Sequence, residues 1–198
     1  MTRSVHLLVF EGLADWEPSY ALTGLRHWAK LPVRTVGFDR REVTTMAGLR
    51  VLPDITLADM DFNNVALFML PGGDMWEASY PRDDIETLLC DLEASDVPIA
   101  GICAATIAIA RAGLFVSRQH TSNGRAYLLR QAPGYAGAAN YVDTPAIRED
   151  RVISATGLAA LEFAREVFAE LRAFTDAEIA AWYDMYRAGR SPTPSAPR

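Results

Sequence analysis

The chain has 198 residues, half of them apolar, and this length and composition suit one domain with a full hydrophobic core. Its formal net charge is −6, so the surface is not basic and we expect no nucleic-acid partner. Every apolar run falls short of the roughly 18 residues that a membrane-spanning helix needs, so we expect no membrane association.

Cysteine and histidine usage narrows the class of protein further. The two cysteines, Cys90 and Cys103, form no C-x-x-C motif, and no leader with charged, apolar and small-residue segments precedes the first predicted strand. We therefore expect a cytoplasmic protein with reduced thiols. The three histidines are far apart and no phosphate-binding glycine fingerprint is present, so we expect neither a metal nor a cofactor.

The first half of the chain alternates between apolar strands and amphipathic helices, which is typical of a parallel α/β sheet. The predicted strands are 5–10, 33–38 and 65–70. The predicted helices are 15–29 and 82–95. Residues 43–52 predict a β-hairpin turning near Ala47-Gly48, and a polar loop follows over 54–64. Cys90 is interpreted as a packing residue of its helix.

The second half continues the alternation with shorter elements. The predicted strands are 119–121, 141–142 and 152–155. The predicted helices are 124–131, 158–173 and a last one that begins at the capping box of Thr175 and Glu178. We expect a single domain over 1–188. Residues 189–198, with three prolines and two serines, are expected to be a disordered tail.

Residues 97–112 combine a strand, a sharp turn and a helix, with Cys103 at the bend. Such an elbow needs small neighbours, and Gly101, Ala104 and Ala105 supply them. At a helix start, unpaired amides and the helix dipole favour the thiolate, so we expect the pKa of Cys103 to lie below its usual value of about 8.5. A buried, unreactive cysteine is the alternative interpretation.

Four short motifs lie along the chain at strand ends and helix starts. They are Phe10-Glu11-Gly12 through Asp15-Trp16-Glu17, Leu70-Pro71-Gly72-Gly73, Ala100-Gly101-Ile102-Cys103-Ala104-Ala105 and Leu161-Glu162-Phe163-Ala164. In this order they resemble the ThiJ/PfpI superfamily over 5–171. The resemblance implies the class I glutamine-amidotransferase-like fold. That fold is a flavodoxin-like three-layer α/β sandwich with a mostly parallel sheet, helices on both faces and a cysteine nucleophile elbow.

The resemblance also implies roles for individual residues. Cys103 would be the nucleophile and Glu17 the carboxylate that contacts it, with Asp15 as the rival for that position. A carboxyl group held protonated in a partly buried pocket can donate a hydrogen bond to a thiolate and lower its pKa. The alternative is that Glu17 is simply an acid in the first turn of a helix.

Backbone amides would complete such a site. By the resemblance, the N–H groups directed at a developing oxyanion would be those of Gly72, Gly73 and Ala104. An ordinary tight turn at the two glycines is the alternative interpretation.

The chain departs from the family pattern in its histidines. Asn123 aligns with a histidine of many relatives, and Ala104 stands where PfpI-type proteases have one. No histidine follows His120, so the late His and Glu of a glutamine-amidotransferase triad are absent. His120 itself could approach Cys103 if its strand were offset by three residues, and it remains a possible accessory residue.

These features leave three hypotheses in which Cys103 reacts and one in which the chain only binds a ligand. The first is a cysteine enzyme of the glyoxalase or deglycase type, acting on small electrophiles such as α-oxoaldehydes in stress protection. The second is a thiol redox sensor or stress chaperone without turnover, in which an oxidant converts the cysteine to a sulfinic acid. The third is an amidase, peptidase or isonitrile-hydratase-like enzyme, and the fourth is the ligand-binding domain of a regulator. Relatives of this fold form dimers, so the resemblance implies a homodimer.

Overall fold

The computed structural model describes residues 3–190 and confirms the predicted α/β architecture. The strands are β1 (Ser4–Leu8), β2 (Val33–Gly37), β3 (Val43–Thr44), β4 (Arg50–Val51), β5 (Ile55–Thr56), β6 (Val65–Leu70), β7 (Ile99–Ile102), β8 (Ala146–Glu149) and β9 (Val152–Ala155). The helices are α1 (Trp16–Thr23), α2 (Met75–Ala78), α3 (Arg82–Ala94), α4 (Thr106–Arg111), α5 (Arg125–Gln131), α6 (Ala160–Glu170) and α7 (Asp176–Ala188). A π-helical segment, Gly24–Trp28, prolongs α1.

Seven strands form one sheet in the order β5-β2-β1-β6-β7-β9-β8. All neighbours are parallel except β8, which runs antiparallel to β9. Around the sheet, α1 packs against α6 and α6 against α7, while α3 packs against α4. The predicted hairpin is confirmed as a separate arm, in which β3 pairs antiparallel with β4.

The central strands are apolar along their whole length because the sheet is covered on both faces. All residues of β1 and β7 are buried, and so are all but one of the residues of β6. This explains why these three strands were visible in the sequence as continuous apolar runs rather than alternating ones.

The order of the strands places a crevice beside β1. From β1 the chain moves outward to β2 and β5, and it then returns to place β6 on the opposite side of β1. Open α/β sheets bind ligands at the carboxyl ends of the strands where the chain reverses direction in this way. The loops that follow β1, β6, β7 and β9 all meet at that edge.

The predicted sheet differs from the observed one in four details: two predicted strands are not strands, and two observed strands were missed. Residues 119–121 and 141–142 are not strands but contribute a single bridge between His120 and Tyr141. The two edge strands, β5 and β8, were not predicted. β5 has only two residues in a polar segment, and β8 carries Arg148 and Glu149 because its outer side faces solvent.

Four further predictions concern Cys90, the start of the last helix, the chain end and membrane-spanning helices. Cys90 is exposed rather than packed in the core, because α3 buries Ile85, Leu89 and Leu92 on its other side. The capping box of Thr175 is confirmed as the start of α7. Of the predicted tail, 191–198 lie outside the described residues. Within 3–190, no helix has both the length and the apolar character needed to cross a membrane.

Candidate active site

Cys103 lies on a strained turn between β7 and the helix that follows. Its φ of +60° falls in the left-handed region, which costs a non-glycine residue about 1–2 kcal/mol. A 3-10 turn over Cys103–Ala105 leads into α4, and the Thr106 hydroxyl donates a 2.6 Å hydrogen bond to the Cys103 carbonyl. A Cβ on Gly101 would lie 2.4 Å from Cδ1 of Ile109, so a larger residue there would force the Ile109 side chain of the returning helix to move. The predicted elbow is confirmed.

Glu17 is fully buried in the first turn of α1, directly beside Cys103. The N–H of Gly72 donates to Oε2 of Glu17 at 2.5 Å. Oε1 has no hydrogen-bond partner of ordinary geometry and faces the Cys103 side chain. A Cβ built on Gly157 would lie 2.6 Å from Sγ of Cys103 and 3.3 Å from Oε1 of Glu17, so this glycine borders both groups.

The two groups shift each other's ionisation. Burial raises the pKa of Glu17 to about 7, although the Gly72 amide and the Cys103 thiol act in the opposite direction as donors. Burial and the negative charge of Glu17 raise the pKa of Cys103 to about 11, against the Asn123 and Ala104 donors. The predicted lowering of the Cys103 pKa is therefore wrong, chiefly because the thiol is buried. Between these two values the pair holds one proton, and its steps of ionisation belong to both groups.

Asn123 connects the sulfur to the loop after β9. Its Nδ2 donates to Sγ of Cys103 at 3.3 Å, and its Oδ1 accepts from the N–H of Gly157 at 2.9 Å. The carbonyl of Gly157 in turn accepts from the Trp16 indole at 3.2 Å. A side-chain amide therefore lies at the sulfur, and it can stabilise a thiolate but cannot take its proton.

The histidine considered as an accessory base lies elsewhere. His120 is fully buried and stacks on Phe115 with ring centroids 4.1 Å apart. Its Nδ1 donates to the Arg118 carbonyl at 2.7 Å, which leaves Nε2 to accept from the Tyr135 hydroxyl. Burial also lowers the pKa of His120, so the ring is neutral. The hypothesis that His120 approaches Cys103 is wrong, because both ring nitrogens are engaged away from the sulfur.

The remaining candidates have mixed placements. Asp15 accepts from the N–H of Ala47 at 2.7 Å and so anchors the β3–β4 arm rather than contacting the sulfur. The N–H of Gly72 is directed at Glu17 and not at the space where an oxyanion would form. The Ala104 amide lies at the sulfur. The oxyanion role of Ala104 and of Gly73 stays a prediction.

Cys103 and Glu17 open into a cleft of about 490 Å³. Its walls combine apolar surface and a few polar groups: Trp16, Ser122, Asn123, Gly124, Tyr141, Asp143, Thr156, Gly157 and Leu158. A smaller depression of about 210 Å³ lies on the other side of the sulfur and includes Met46, Asp74 and Glu77. In the described part of the chain, no group of three or more His, Cys, Asp and Glu side chains could hold a metal ion.

Several of these residues were not singled out in the sequence. Gly157 carried a usable signal, since it follows β9 at the same edge of the sheet as Gly72. Tyr141 and Asp143 carried none, because the loop that presents them has no motif.

Comparison with known proteins gives a consistent answer. The model of the DJ-1/PfpI family matches residues 3–170. The chain is 35% identical over 191 residues to the uncharacterized protease YoaZ of Bacillus subtilis. The aligned region covers 93% of this chain and 90% of YoaZ. The crystal structure of the DJ-1 superfamily protein Atu0886 from Agrobacterium tumefaciens superimposes with a TM-score of 0.88, at 31% identity, and covers 96% of this chain and 99% of Atu0886.

A second solved structure supports the same assignment. The ThiJ/PfpI family protein from Bacillus anthracis superimposes with a TM-score of 0.86 and 32% identity, covering 96% of this chain and 92% of that protein. The family model spans most of the chain, and the strained cysteine elbow with its buried glutamate lies inside the matched region. This chain belongs to the DJ-1/PfpI family.

Proposed function

We propose that this protein is a cysteine enzyme acting on small electrophilic carbonyl compounds, with α-oxoaldehydes such as methylglyoxal as the substrate class. Cys103 is the nucleophile and Glu17 the acid and base. The observation that carries the proposal is the buried carboxyl of Glu17, which has one unpartnered oxygen beside a sulfur that opens into a cleft.

The Glu17–Cys103 pair suits a reaction that moves protons between neighbouring atoms. The sulfur attacks the aldehyde carbon of methylglyoxal, forming a C–S bond while the carbonyl oxygen takes a proton. Glu17 then removes the hydrogen from that carbon, the hydroxyl proton on the same carbon moves to the neighbouring ketone oxygen, and Glu17 returns its proton to the former ketone carbon, which leaves a thioester of lactate. Water cleaves the thioester and regenerates the thiol, so methylglyoxal and water become lactic acid. A general base works best when its pKa lies near the working pH, and the pKa of Glu17 is about 7.

The surroundings of the sulfur favour this chemistry over peptide cleavage. Cleaving an amide requires a proton donor for the leaving nitrogen, a role that a histidine usually fills. Here the side chain that donates to Cys103 is Asn123, and His120 is fully buried with both ring nitrogens engaged by other residues. The designation of YoaZ as a protease therefore does not, on this geometry, extend to a proposal for this chain.

A thiol sensor is the second candidate, favoured by the donors around the sulfur. The Asn123 amide and the Ala104 N–H can both donate to oxygen atoms added to Cys103, and protonated Glu17 can do the same. Two molecules of hydrogen peroxide would oxidise the thiolate to a sulfinate, each losing one oxygen atom to sulfur and leaving as water.

Methylglyoxal consumption in matched cysteine variants tests the first candidate. Cys103→Ala should reduce the rate to that of buffer, whereas Cys90→Ser, which changes the exposed second cysteine, should keep it. Equal rates for wild type and Cys103→Ala would refute the enzyme proposal. Intact mass after mild peroxide then tests the sensor: two oxygen atoms added in Cys90→Ser but not in Cys103→Ser would support it.

A further inference from the structure

Both openings that lead to Cys103 carry charged side chains of one sign only. The larger cleft is lined by Glu17 and Asp143, and the smaller depression by Glu17, Asp74 and Glu77. Among the described residues, no arginine, lysine or histidine lines either opening. A molecule that approaches the sulfur from either side therefore meets carboxyl groups and no basic side chain.

Asp143, in the loop before β8, has no basic side chain to neutralise it. Other acids on loops at the same edge of the sheet are paired: Asp59 lies 2.8 Å from Arg40, and Glu42 lies 2.5 Å from Arg50. Within 3–190, Asp143 takes part in none of the ion pairs. Its negative charge is therefore available to a molecule in the cleft.

The rest of the cleft wall strengthens the effect of this charge. Trp16, Tyr141 and Leu158 contribute apolar surface. Arg125, the arginine nearest to the wall along the chain, directs its Nε to the carbonyl of Ala138 at 3.0 Å and does not line the cleft. A cleft with apolar walls and charge of one sign focuses the electric field, so it concentrates molecules of the opposite charge and repels those of the same charge.

Glu17 gives an independent sign of where a bound molecule reacts. Its side chain is fully buried, and Oε1 has no hydrogen-bond partner of ordinary geometry beside Cys103 in the same cleft. Because buried polar atoms are otherwise almost always satisfied, this oxygen marks the place of the reacting end of a ligand. Asp143 is then left to contact the other end. A carboxylate only accepts hydrogen bonds and an ammonium group only donates them, so the two match.

We propose that Asp143 is a specificity-determining residue that selects small electrophiles with a positively charged group, such as an ammonium group, over those with a carboxylate. The reacting carbon lies at Cys103 and the cationic group at Asp143. The inference deepens the proposed function, since it rests on Cys103 as the nucleophile and adds a charge to the substrate class. Neutral methylglyoxal is then a minimal substrate, and an α-oxoacid such as glyoxylate is a poor one.

Alkylation of Cys103 by three reagents that differ in charge measures this selectivity. The aminoethyl, hydroxyethyl and carboxymethyl amides of iodoacetic acid are cationic, neutral and anionic, and with each of them the thiolate displaces iodide to form a C–S bond. The parent protein carries Cys90→Ser so that one thiol reacts, and each rate is divided by the rate of the same reagent with β-mercaptoethanol. At about pH 6 most Glu17 is protonated, because its pKa is about 7. The cationic reagent should then react at least about tenfold faster than the anionic one.

Asp143→Asn removes the charge and keeps the size of the side chain. The ratio of the cationic to the anionic rate should fall about three- to tenfold, and Asp143→Lys should lower it further. The rate of the neutral reagent corrects for any general change in the exposure of the sulfur. Asp150→Asn is the matched control, because Asp150 precedes β9 and so lies at the opposite edge of the sheet from Cys103. Its ratio should stay within about twofold of the parent.

Two results would overturn the inference. One is an equal ratio for the parent and Asp143→Asn. The other is a fall in the ratio with Asp74→Asn but not with Asp143→Asn, because the smaller depression would then be the route to the sulfur. The proposed function is tested separately: charge selectivity at Cys103 without consumption of methylglyoxal would refute turnover and leave the inference standing. Consumption that depends on Cys103, with equal rates for the three reagents, would refute the inference alone.

Discussion

Glu17 and His120 are both fully buried, polar and close to the carboxyl edge of the sheet, yet their surroundings differ. Both nitrogens of His120 have partners, and its ring stacks on Phe115. One oxygen of Glu17 has no hydrogen-bond partner of ordinary geometry and faces the Cys103 thiol.

The comparison separates a structural group from a reactive one. A buried polar group whose hydrogen bonds are all made stabilises one conformation and has no free donor or acceptor for chemistry. A buried group left incomplete costs stability and is retained where it serves a reaction. By this criterion the histidine belongs to the core and the glutamate to the active site, although histidine is the more usual base.

The largest expected effect is the loss of activity in Glu17→Gln. Glutamine can still accept from the Gly72 N–H, but it cannot take or return a proton. Methylglyoxal turnover should fall about 10²- to 10⁴-fold, the range typical of a lost general base. If Glu17→Gln keeps more than a third of the activity, Glu17 is not the acid and base of the reaction. The distinction drawn between Glu17 and His120 would then be wrong.

The converse experiment is His120→Ala. This change opens a cavity against Phe115 and leaves the Tyr135 hydroxyl and the Arg118 carbonyl unpartnered. The free energy of unfolding in urea should drop by about 2–4 kcal/mol, while the alkylation rate of Cys103 in the folded protein should change less than about threefold. A stable variant with an unreactive Cys103 would contradict the structural assignment.

Glu17 should also make stability depend on pH. Its pKa is about 7 in the folded protein against 4.5 for a solvent-exposed glutamate, so between these pH values the folded state binds more protons than the unfolded state. Stability contributed by this group is complete below pH 4.5 and is lost as the pH rises through 7, by about 3 kcal/mol in total. Glu17→Gln should therefore be more stable than wild type at pH 8, and the difference should vanish near pH 4.5. Denaturation curves at both pH values measure it, and a variant less stable at pH 8 would contradict the claim.

The smallest effect is steric and concerns Gly157. A Cβ there would lie 2.6 Å from Sγ of Cys103, so Gly157→Ala should slow iodoacetamide alkylation about tenfold, a barrier increase of about 1.4 kcal/mol. Turnover should fall with it because substrate approaches from the same cleft. An unchanged alkylation rate would mean that the sulfur is reached from the smaller depression beside Glu77 instead.

The sequence predicted those parts of the fold that depend on local pattern. The strand–elbow–helix segment could be recognised from the sequence because a buried parallel strand is a continuous apolar run, and the bend favours small residues such as Gly101. The edge strand β5 was missed because two residues in a polar loop carry no periodicity. Cys90 was misplaced because it adjoins the apolar stripe of α3, and a rotation of about 100° per residue moves it to the solvent side.

The site was predictable only where it coincides with motifs. The pairing of Glu17 with Cys103 followed from resemblance, and the placement of Asn123 at the sulfur followed from the same alignment. The sequence could not show that His120 lies away from Cys103, since an offset of a few residues decides whether a side chain faces the cleft or the core. The Tyr127 hydroxyl on α5 donates to Glu77 on α2, and no shared sequence pattern links these two elements.

The central claim is that Glu17 holds its proton near neutral pH beside Cys103. The most direct measurement is a ¹³C NMR titration of the Glu17 carboxyl carbon in protein labelled at glutamate, with Glu17→Gln used to assign the signal. The account predicts a midpoint near pH 7. A midpoint below about 5, close to the value of an exposed glutamate, would contradict it.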